Sequence, residues 1–255
     1  MRMSFPDGSP ANALAEADPP TDRHPARKGR AAAPRPGAIR LGDLDRTEPV
    51  SRSFGCDRGT PIDRYYIEGF LAQHAGDVAG RVLEIGDSRY TRRFGGARVT
   101  RSDVLDVNAR NPKATIVADL AACPELDPEQ FDCIILAQTL HMIFDVQAVI
   151  ANVHRLTAPG GVVLATAPGI SQIDAGSGRE TWFWSFTPQC LQRLFEDRFG
   201  PGSTVIESHG NVLAAVGFLQ GLALEEMSRP DLDRHDPLYP VITAVRAAKP
   251  RAGAP

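Results

Sequence analysis

The chain has 255 residues, 42% of them hydrophobic, so it is long enough to bury one substantial core. A formal net charge of −3 gives no general attraction to nucleic acid or to an anionic membrane, and neither partner is expected. The four cysteines are scattered without C-x-x-C spacing, which argues against a disulfide framework or a metal site and predicts reduced thiols in a cytoplasmic protein.

The N-terminal region differs in composition from the rest of the chain. Residues 1–50 are rich in Pro, Ala and Arg and have no hydrophobic period, which predicts a disordered arm. Its first twenty residues contain no apolar segment typical of a secretory signal. We therefore predict one folded domain over residues 51–249, followed by a short tail over 250–255.

Turn signals then divide the chain into alternating helices and strands. A first helix is predicted with Thr60 as its N-cap and Pro61 at the first helical position. Two amphipathic helices are predicted over 145–161 and 187–199. Short apolar runs predict strands over 81–86, 97–103, 114–119, 131–137, 161–167, 203–208 and 240–247. This alternation predicts an α/β fold with a doubly wound, Rossmann-like sheet.

A further helix is predicted over 211–228, where the apolar residues cover more than one narrow face. It is too short and too polar to span a bilayer, so no membrane span is expected. We predict that this helix is buried, either against the sheet or in the contact of a homodimer.

Polar residues gather at the predicted carboxyl ends of the strands, where doubly wound sheets bind their ligands. Asp103 and Asp119 end two strands that would lie side by side. Such carboxylates suit ribose hydroxyls and an amino group better than a phosphate, because they accept hydrogen bonds. Neither a Walker loop nor an intact G-x-G-x-x-G is present, so nucleotide hydrolysis and NAD chemistry are poorly supported.

Three stretches together resemble class I S-adenosylmethionine-dependent methyltransferases of the small-molecule type. They are VLEIG at 82–86, the run 131–168 with its Leu-His and Pro-Gly-Gly, and the helix region 184–200. The resemblance spans roughly residues 60–249, and the chain is also similar to reduced methyltransferase-like proteins found near bacterial glycosyltransferases. It implies a seven-stranded methyltransferase sheet and S-adenosyl-L-methionine as the cofactor.

The resemblance also implies roles for the residues at the strand ends. The loop under the methionine part of the cofactor would be formed by Glu84, Gly86, Asp87 and Ser88. Asp103 would bind the ribose hydroxyls. The adenine would be bordered by Asp119 and Leu120, and the methionine end by Gln138.

The loop after the first strand departs from the family pattern, since Ser88 and Tyr90 stand where glycines are usual. A left-handed backbone at either residue would cost roughly 1–2 kcal/mol, so we predict that the loop is rebuilt. Three arginines of this loop, Arg89, Arg92 and Arg93, either bind an acidic group with Tyr90 beside them or form a solvated basic turn.

Candidate substrate groups follow the central strands. His141 is a candidate general base for a hydroxyl, although a packed histidine without a catalytic role is equally compatible with the sequence. Trp182 and Trp184 form either a substrate rim or an anchor in the core.

Two functions remain open from the sequence. One is methyl transfer to a small-molecule or saccharide-like acceptor, at oxygen. The other is an inactive member of the fold that binds a partner, such as an enzyme of glycan assembly.

Overall fold

The computed structural model describes residues 33–35, 37–176 and 179–251. Most of the predicted arm, and all but two residues of the predicted tail, lie outside the described residues. Within the arm, Gly42–Leu44 forms a short 3₁₀ turn. The sheet and the helices that flank it lie in a compact unit that begins at Arg46.

The seven predicted strands form one mixed sheet, in the order β3-β2-β1-β4-β5-β7-β6. Strand β7 runs antiparallel to its neighbours β5 and β6, and the β1–β5 pairs are parallel. The strands are β1 (Gly80–Ile85), β2 (Val99–Asp106), β3 (Ile116–Val117), β4 (Phe131–Ala137), β5 (Thr157–Pro168), β6 (Thr204–His209) and β7 (Ile242–Ala248). The predicted doubly wound, seven-stranded fold is confirmed.

Five helices flank this sheet in the described part of the chain, and in two of them the first residue of the predicted helix is a side-chain N-cap. Asp145 accepts a hydrogen bond from the Ala148 amide, and Thr187 accepts one from the Cys190 amide. The helices are α1 (Ile62–Gln73), α2 (Val146–Leu156), α3 (Pro188–Phe199), α4 (Val212–Gln220) and α5 (Arg229–Leu232).

The predicted cap of α1 is wrong by one residue. Pro61 is the N-cap, and α1 begins at Ile62. The Thr60 side chain does not cap the helix because its hydroxyl donates to Glu225 Oε1 at 2.8 Å. Thr60 therefore joins the start of α1 to a segment late in the chain.

Apolar side chains fill both faces of the sheet. One layer packs α2 and α3 on the sheet and includes Leu83, Leu105, Ile134, Val149 and Phe195. The other packs α1 and α4 on the opposite face and includes Ile62, Phe70, Val82, Ile135 and Phe218. The near-continuous apolar sequences of β4 and β5 follow from burial on both faces.

The predicted helix over 211–228 is shorter than expected. Helix α4 ends at Gln220 because Gly221 adopts the left-handed conformation, with φ of 70°. A Cβ atom on Gly221 would lie 2.2 Å from the carbonyl oxygen of Ser51, so only glycine fits.

The prediction that this helix is buried holds for one face only. Ala214, Gly217 and Phe218 face the core, whereas four large apolar side chains remain exposed: Val212, Leu213, Val216 and Leu219. No helix in the described ranges is long and apolar enough to cross a membrane.

Candidate active site

The loop after β1 is organised by the buried carboxylate of Glu84. Its oxygens accept hydrogen bonds from the Tyr90 amide at 3.0 Å, the Thr91 amide at 2.7 Å and the Thr91 hydroxyl at 2.7 Å. Burial raises the pKa of Glu84, and the bonds from Thr91 and Tyr90 oppose that rise. Glu84 therefore acts by holding the loop against the end of β1.

The structure confirms that the loop is rebuilt. Gly86 has φ of 79°, and a Cβ atom placed on it would meet nothing within 4 Å. Helical backbone then begins at Arg89 and continues as a π-helical turn over Thr91–Gly95. The expected strain at Ser88 and Tyr90 is absent, since neither has a positive φ. Open space beside Gly86 leaves room for a ligand to approach the backbone.

The aromatic ring of Tyr90 packs inside the core. It is buried, with 4% of its surface exposed, and its ring stacks on Phe94 at a centroid distance of 6.1 Å. Its hydroxyl oxygen accepts a hydrogen bond from Arg64 Nη1 at 2.5 Å. The rebuilt loop is thereby joined to the first turn of α1.

The prediction that Asp103 ends β2 is wrong. Strand β2 continues to Asp106, and Asp103 pairs in register with Leu83 in the middle of β1. Asp103 is 2% exposed, and Arg81 Nε donates to its Oδ2 at 2.7 Å. Although burial opposes ionisation, hydrogen bonds from Arg81 and Arg101 hold the pKa of Asp103 below its usual value. Asp103 is thus an ion-paired residue within the sheet, away from its carboxyl edge.

Asp106 takes the place at the strand end that the sequence assigned to Asp103. It is partly exposed and adjoins Gly86, whose amide donates to Leu105 at 3.0 Å. Asn111 links the two, since its Nδ2 donates to Asp106 Oδ2 at 2.6 Å and to the Gly86 carbonyl at 2.7 Å. Asp106 is the carboxylate positioned to accept from hydroxyl groups at this edge.

The segment after β3 places one predicted adenine neighbour outside the core and one inside it. Asp119 is exposed, and its Oδ1 accepts from the Ala121 amide at 2.9 Å. Leu120 is 3% exposed and packs in the layer with α2. Only the carboxylate of this pair is free to face a ligand from solvent.

The loop arginines pair with neighbours at the surface. Arg89 lies 3.4 Å from Asp87, Arg93 lies 2.8 Å from Glu68, and Arg92 donates to Ser88. Lys113 also approaches Asp87, at 3.5 Å. These contacts favour the solvated-turn interpretation of the three arginines.

A cavity of about 210 Å³ opens beyond the carboxyl ends of β4 and β5. Its wall includes Gln138, which follows β4 and has a left-handed backbone with φ of 51°. Gln138 is held there because its amide donates to the Thr166 carbonyl at 2.9 Å. The cavity wall also includes the side chains of Phe54, Asp63, Arg64, His141 and Trp182.

His141 is the most buried titratable group in this wall. It is 3% exposed, and burial lowers its pKa to about 4, so the ring is neutral at pH 7. Its Nδ1 is buried and has no hydrogen-bond partner among the described residues. The ring lies 4.2 Å from that of Trp182. The cavity wall therefore includes a neutral imidazole whose buried Nδ1 has no partner among the described residues.

The two tryptophans separate into different roles. Trp182 lines the cavity, and Phe54 stacks on it with an interplanar angle of 15°. Trp184 is 36% exposed, does not line this cavity, and donates from Nε1 to the Ile143 carbonyl at 3.1 Å. The rim interpretation thus suits Trp182 and not Trp184.

Among the residues of the cavity wall that sequence reasoning missed are Phe54, Asp63 and Arg64. The sequence analysis assigned no role to Asp63 and Arg64. The available signal was their position in the first turn of a helix that precedes β1, which brings them to the carboxyl edge of the sheet.

Comparison with known proteins agrees with this architecture. Residues 70–165 match the family model described as a methyltransferase domain. This match supports a class I S-adenosylmethionine-dependent methyltransferase. S-adenosylmethionine is the cofactor that this match supports.

Solved structures show the same fold as this methyltransferase. An S-adenosylmethionine-dependent methyltransferase from Mesorhizobium loti is 17% identical, with a TM-score of 0.51 over 74% of this chain and 100% of that chain. The [4+2]-cyclase SpnF is 13% identical, with a TM-score of 0.51 over 76% of this chain and 85% of that chain. At these identities the likeness concerns the fold alone. The comparison with curated protein sequences gave no match.

The residues present fit this cofactor. Gly86 leaves open space beside its backbone, Asp106 offers a carboxylate at the end of β2, and Gln138 lines the cavity at the end of β4. Glu84 and Asp103 are both engaged in hydrogen bonds within the chain.

Proposed function

We propose that this methyltransferase methylates a hydroxyl oxygen of a small or saccharide-like acceptor that binds in the cavity beyond β4 and β5. His141 would accept the proton of that hydroxyl. The observation that supports this best is the buried Nδ1 of His141, which has no partner among the described residues. In the cytoplasm, the proposed location, this imidazole would be neutral and ready to accept a proton.

The cavity wall supports the proposed acceptor class. Phe54 and Trp182 line the cavity with stacked aromatic rings, which offer apolar surface to an acceptor. The cavity volume of about 210 Å³ leaves room for a small group.

The cofactor residues proposed for this chain follow from the strand ends. Gly86, Asp87 and Ser88 would border the methionine part, Asp106 the ribose, Asp119 with Leu120 the adenine, and Gln138 the methionine end. S-adenosylmethionine supplies an electrophilic methyl group, so the protein's work is alignment and exclusion of water. His141 contributes by holding the acceptor oxygen and taking its proton.

A second function, partner binding without catalysis, is favoured by one observation. The exposed apolar residues Val212, Val216 and Leu219 recur on one side of α4. Such a stripe suits a protein contact, either a homodimer through α4 or an enzyme of glycan assembly. This alternative predicts that the cavity has no catalytic use.

Calorimetry with S-adenosylmethionine, followed by product assays on hydroxyl-bearing acceptors, tests the proposal. We expect His141→Gln to lower kcat by about a hundredfold or more, with an unchanged Kd for the cofactor. His154→Gln is the matched control, because His154 lies on α2 against Phe199, away from the cavity wall. If the wild-type protein binds no cofactor at millimolar concentration and methylates no acceptor, partner binding replaces this proposal.

A further inference from the structure

The first turn of α1 presents two opposite charges to the cavity. Asp63 and Arg64 both line it. The Oδ1 atom of Asp63 is buried and has no hydrogen-bond partner among the described residues. Burial raises the pKa of Asp63, whereas the neighbouring guanidinium of Arg64 and hydrogen bonds from the backbone amides of Arg64 and Asp63 to the carboxyl group oppose that rise. A buried carboxylate oxygen without a donor is a place where a ligand's donor would be stabilised.

Arg64 is held in place but not neutralised by an ion pair. Its Nη1 donates to the Tyr90 hydroxyl at 2.5 Å, and the described residues show no ion pair between its guanidinium and a carboxylate, although, against the effect of burial, the Asp63 charge raises its pKa. A guanidinium has five N–H donors, so several remain for a ligand. Arg64 therefore offers a fixed cation with free donors at the cavity wall.

Tyr90 links this cation to the rebuilt loop. Glu84 accepts from the Tyr90 amide, and the Tyr90 hydroxyl accepts from Arg64. The residue that replaces a family glycine thus supports a charged group on another element. Tyr90, which stands in the loop where a glycine is usual, thus helps to fix the position of the Arg64 guanidinium.

The charge pattern selects the kind of ligand. A simple anion would pair with Arg64 but would be repelled by Asp63, and a simple cation would face the reverse problem. A group that carries a carboxylate and an ammonium together pairs with both residues and leaves no net buried charge. An α-amino acid has this arrangement.

We infer that Asp63 and Arg64 form the receptor for the amino-acid end of the cofactor, with the carboxylate on Arg64, the ammonium on Asp63 Oδ1, and Tyr90 as a positioning residue. This inference rests on the proposed function, because it assigns ligand contacts within the same site. It places recognition of the cofactor's charged end on α1, next to Gln138 at the end of β4.

Two nucleosides distinguish this role in calorimetric titrations of the full chain. S-adenosylhomocysteine carries the amino-acid group, whereas 5′-methylthioadenosine lacks it. We expect Arg64→Met to weaken S-adenosylhomocysteine binding by about ten- to a hundredfold and to leave 5′-methylthioadenosine binding unchanged. Asp63→Asn should produce the same selective loss, and Tyr90→Phe a smaller one, of about three- to tenfold.

The matched control is Arg193→Met. Arg193 is 82% exposed on α3 and pairs with Asp197, so its removal should change neither affinity. Melting temperatures of the free variants verify folding, and Arg64→Lys keeps the charge if Arg64→Met does not fold.

These titrations distinguish a failure of this inference from a failure of the proposed function. Equal losses for both nucleosides, or no loss for either, would overturn the inference while leaving cofactor binding intact. A wild-type protein that binds neither nucleoside would overturn the proposed function, and the inference with it.

Discussion

The two halves of the sheet's carboxyl edge differ in how their polar groups are satisfied. On the side of β1–β3, Glu84 and Asp106 accept hydrogen bonds from neighbouring residues of the chain. On the side of β4 and β5, His141 Nδ1 and Asp63 Oδ1 have no partners within the described residues. A buried polar atom without a partner costs about 1–3 kcal/mol. The second half therefore bears an energetic cost that a ligand can relieve.

This difference separates support from recognition. The β1–β3 half uses its charges to hold a shortened loop and a mid-strand ion pair, so removing them should damage the fold. The β4–β5 half keeps charges and an imidazole for a ligand, so removing them should damage binding or catalysis. The following predictions test that division, beginning with the largest expected effect on stability.

The largest effect on stability is expected from the protonation of His141 at low pH. Its folded-state pKa is about 4, below the ordinary value of 6.5. Between these pH values the imidazole of His141 binds a proton in the unfolded chain and does not in the folded chain. The free energy of unfolding therefore falls as the pH falls from 6.5 to 4. The loss approaches about 3 kcal/mol, and above pH 6.5 this residue contributes no slope.

Denaturant unfolding of the wild type and His141→Gln over this pH range measures the effect. The difference between the two curves isolates His141 from the other titrating groups. An imidazole NMR signal of His141 that titrates near pH 6.5 would contradict the prediction.

The next effect concerns the two aspartates of β2. Asp103→Ala leaves Arg81, whose side chain is 23% exposed, without its partner. We expect it to lower the free energy of unfolding by about 2 kcal/mol, below the usual range for buried pairs because solvent reaches Arg81. Asp106→Ala should instead weaken cofactor binding by about tenfold or more with little change in melting temperature.

Asp103→Asn and Asp106→Asn serve as matched controls that keep the side-chain volume. Urea unfolding and calorimetry on all four variants separate stability from affinity. The division would be wrong if Asp103→Ala reduced affinity alone and Asp106→Ala reduced stability alone.

The smallest effect is expected at the loop arginines. Arg93 pairs with Glu68 at the surface, with a side chain 55% exposed. Because exposed ion pairs contribute little, Arg93→Ala should change stability by less than about 0.5 kcal/mol. Arg92→Ala should behave alike, and neither should alter cofactor affinity in calorimetry. A tenfold loss of affinity in either variant would assign the loop a direct ligand contact.

Much of the fold was predictable because burial leaves a clear pattern in the sequence. All seven strands follow apolar runs, and Asp145 and Thr187, where two helices were predicted to begin, are their N-caps. The end of β2 was not predicted correctly, because the apolar pair Val104 and Leu105 continues the strand past Asp103.

The remaining errors depend on contacts between distant residues. The pairing of Arg81 with Asp103 becomes visible only once β1 and β2 lie side by side. Likewise, the local sequence does not distinguish Asp63 and Arg64 from solvated residues of α1. Their place in the cavity wall is evident only in the folded structure. Local pattern locates strands well, but it does not reveal which charges are already paired.

The segment before α1 has a consequence for synthesis on the ribosome. The Ser51 amide donates to the Gln220 carbonyl at 3.0 Å, and the Thr60 amide donates to Glu225 Oε2, 165 residues later, at 2.9 Å. Phe54, between them, forms part of the cavity wall. Because these contacts form only after residue 225 has left the ribosome, the cavity cannot be completed before that point in synthesis. Until then, Phe54 and the start of α1 stay exposed on the nascent chain, where a chaperone can bind them.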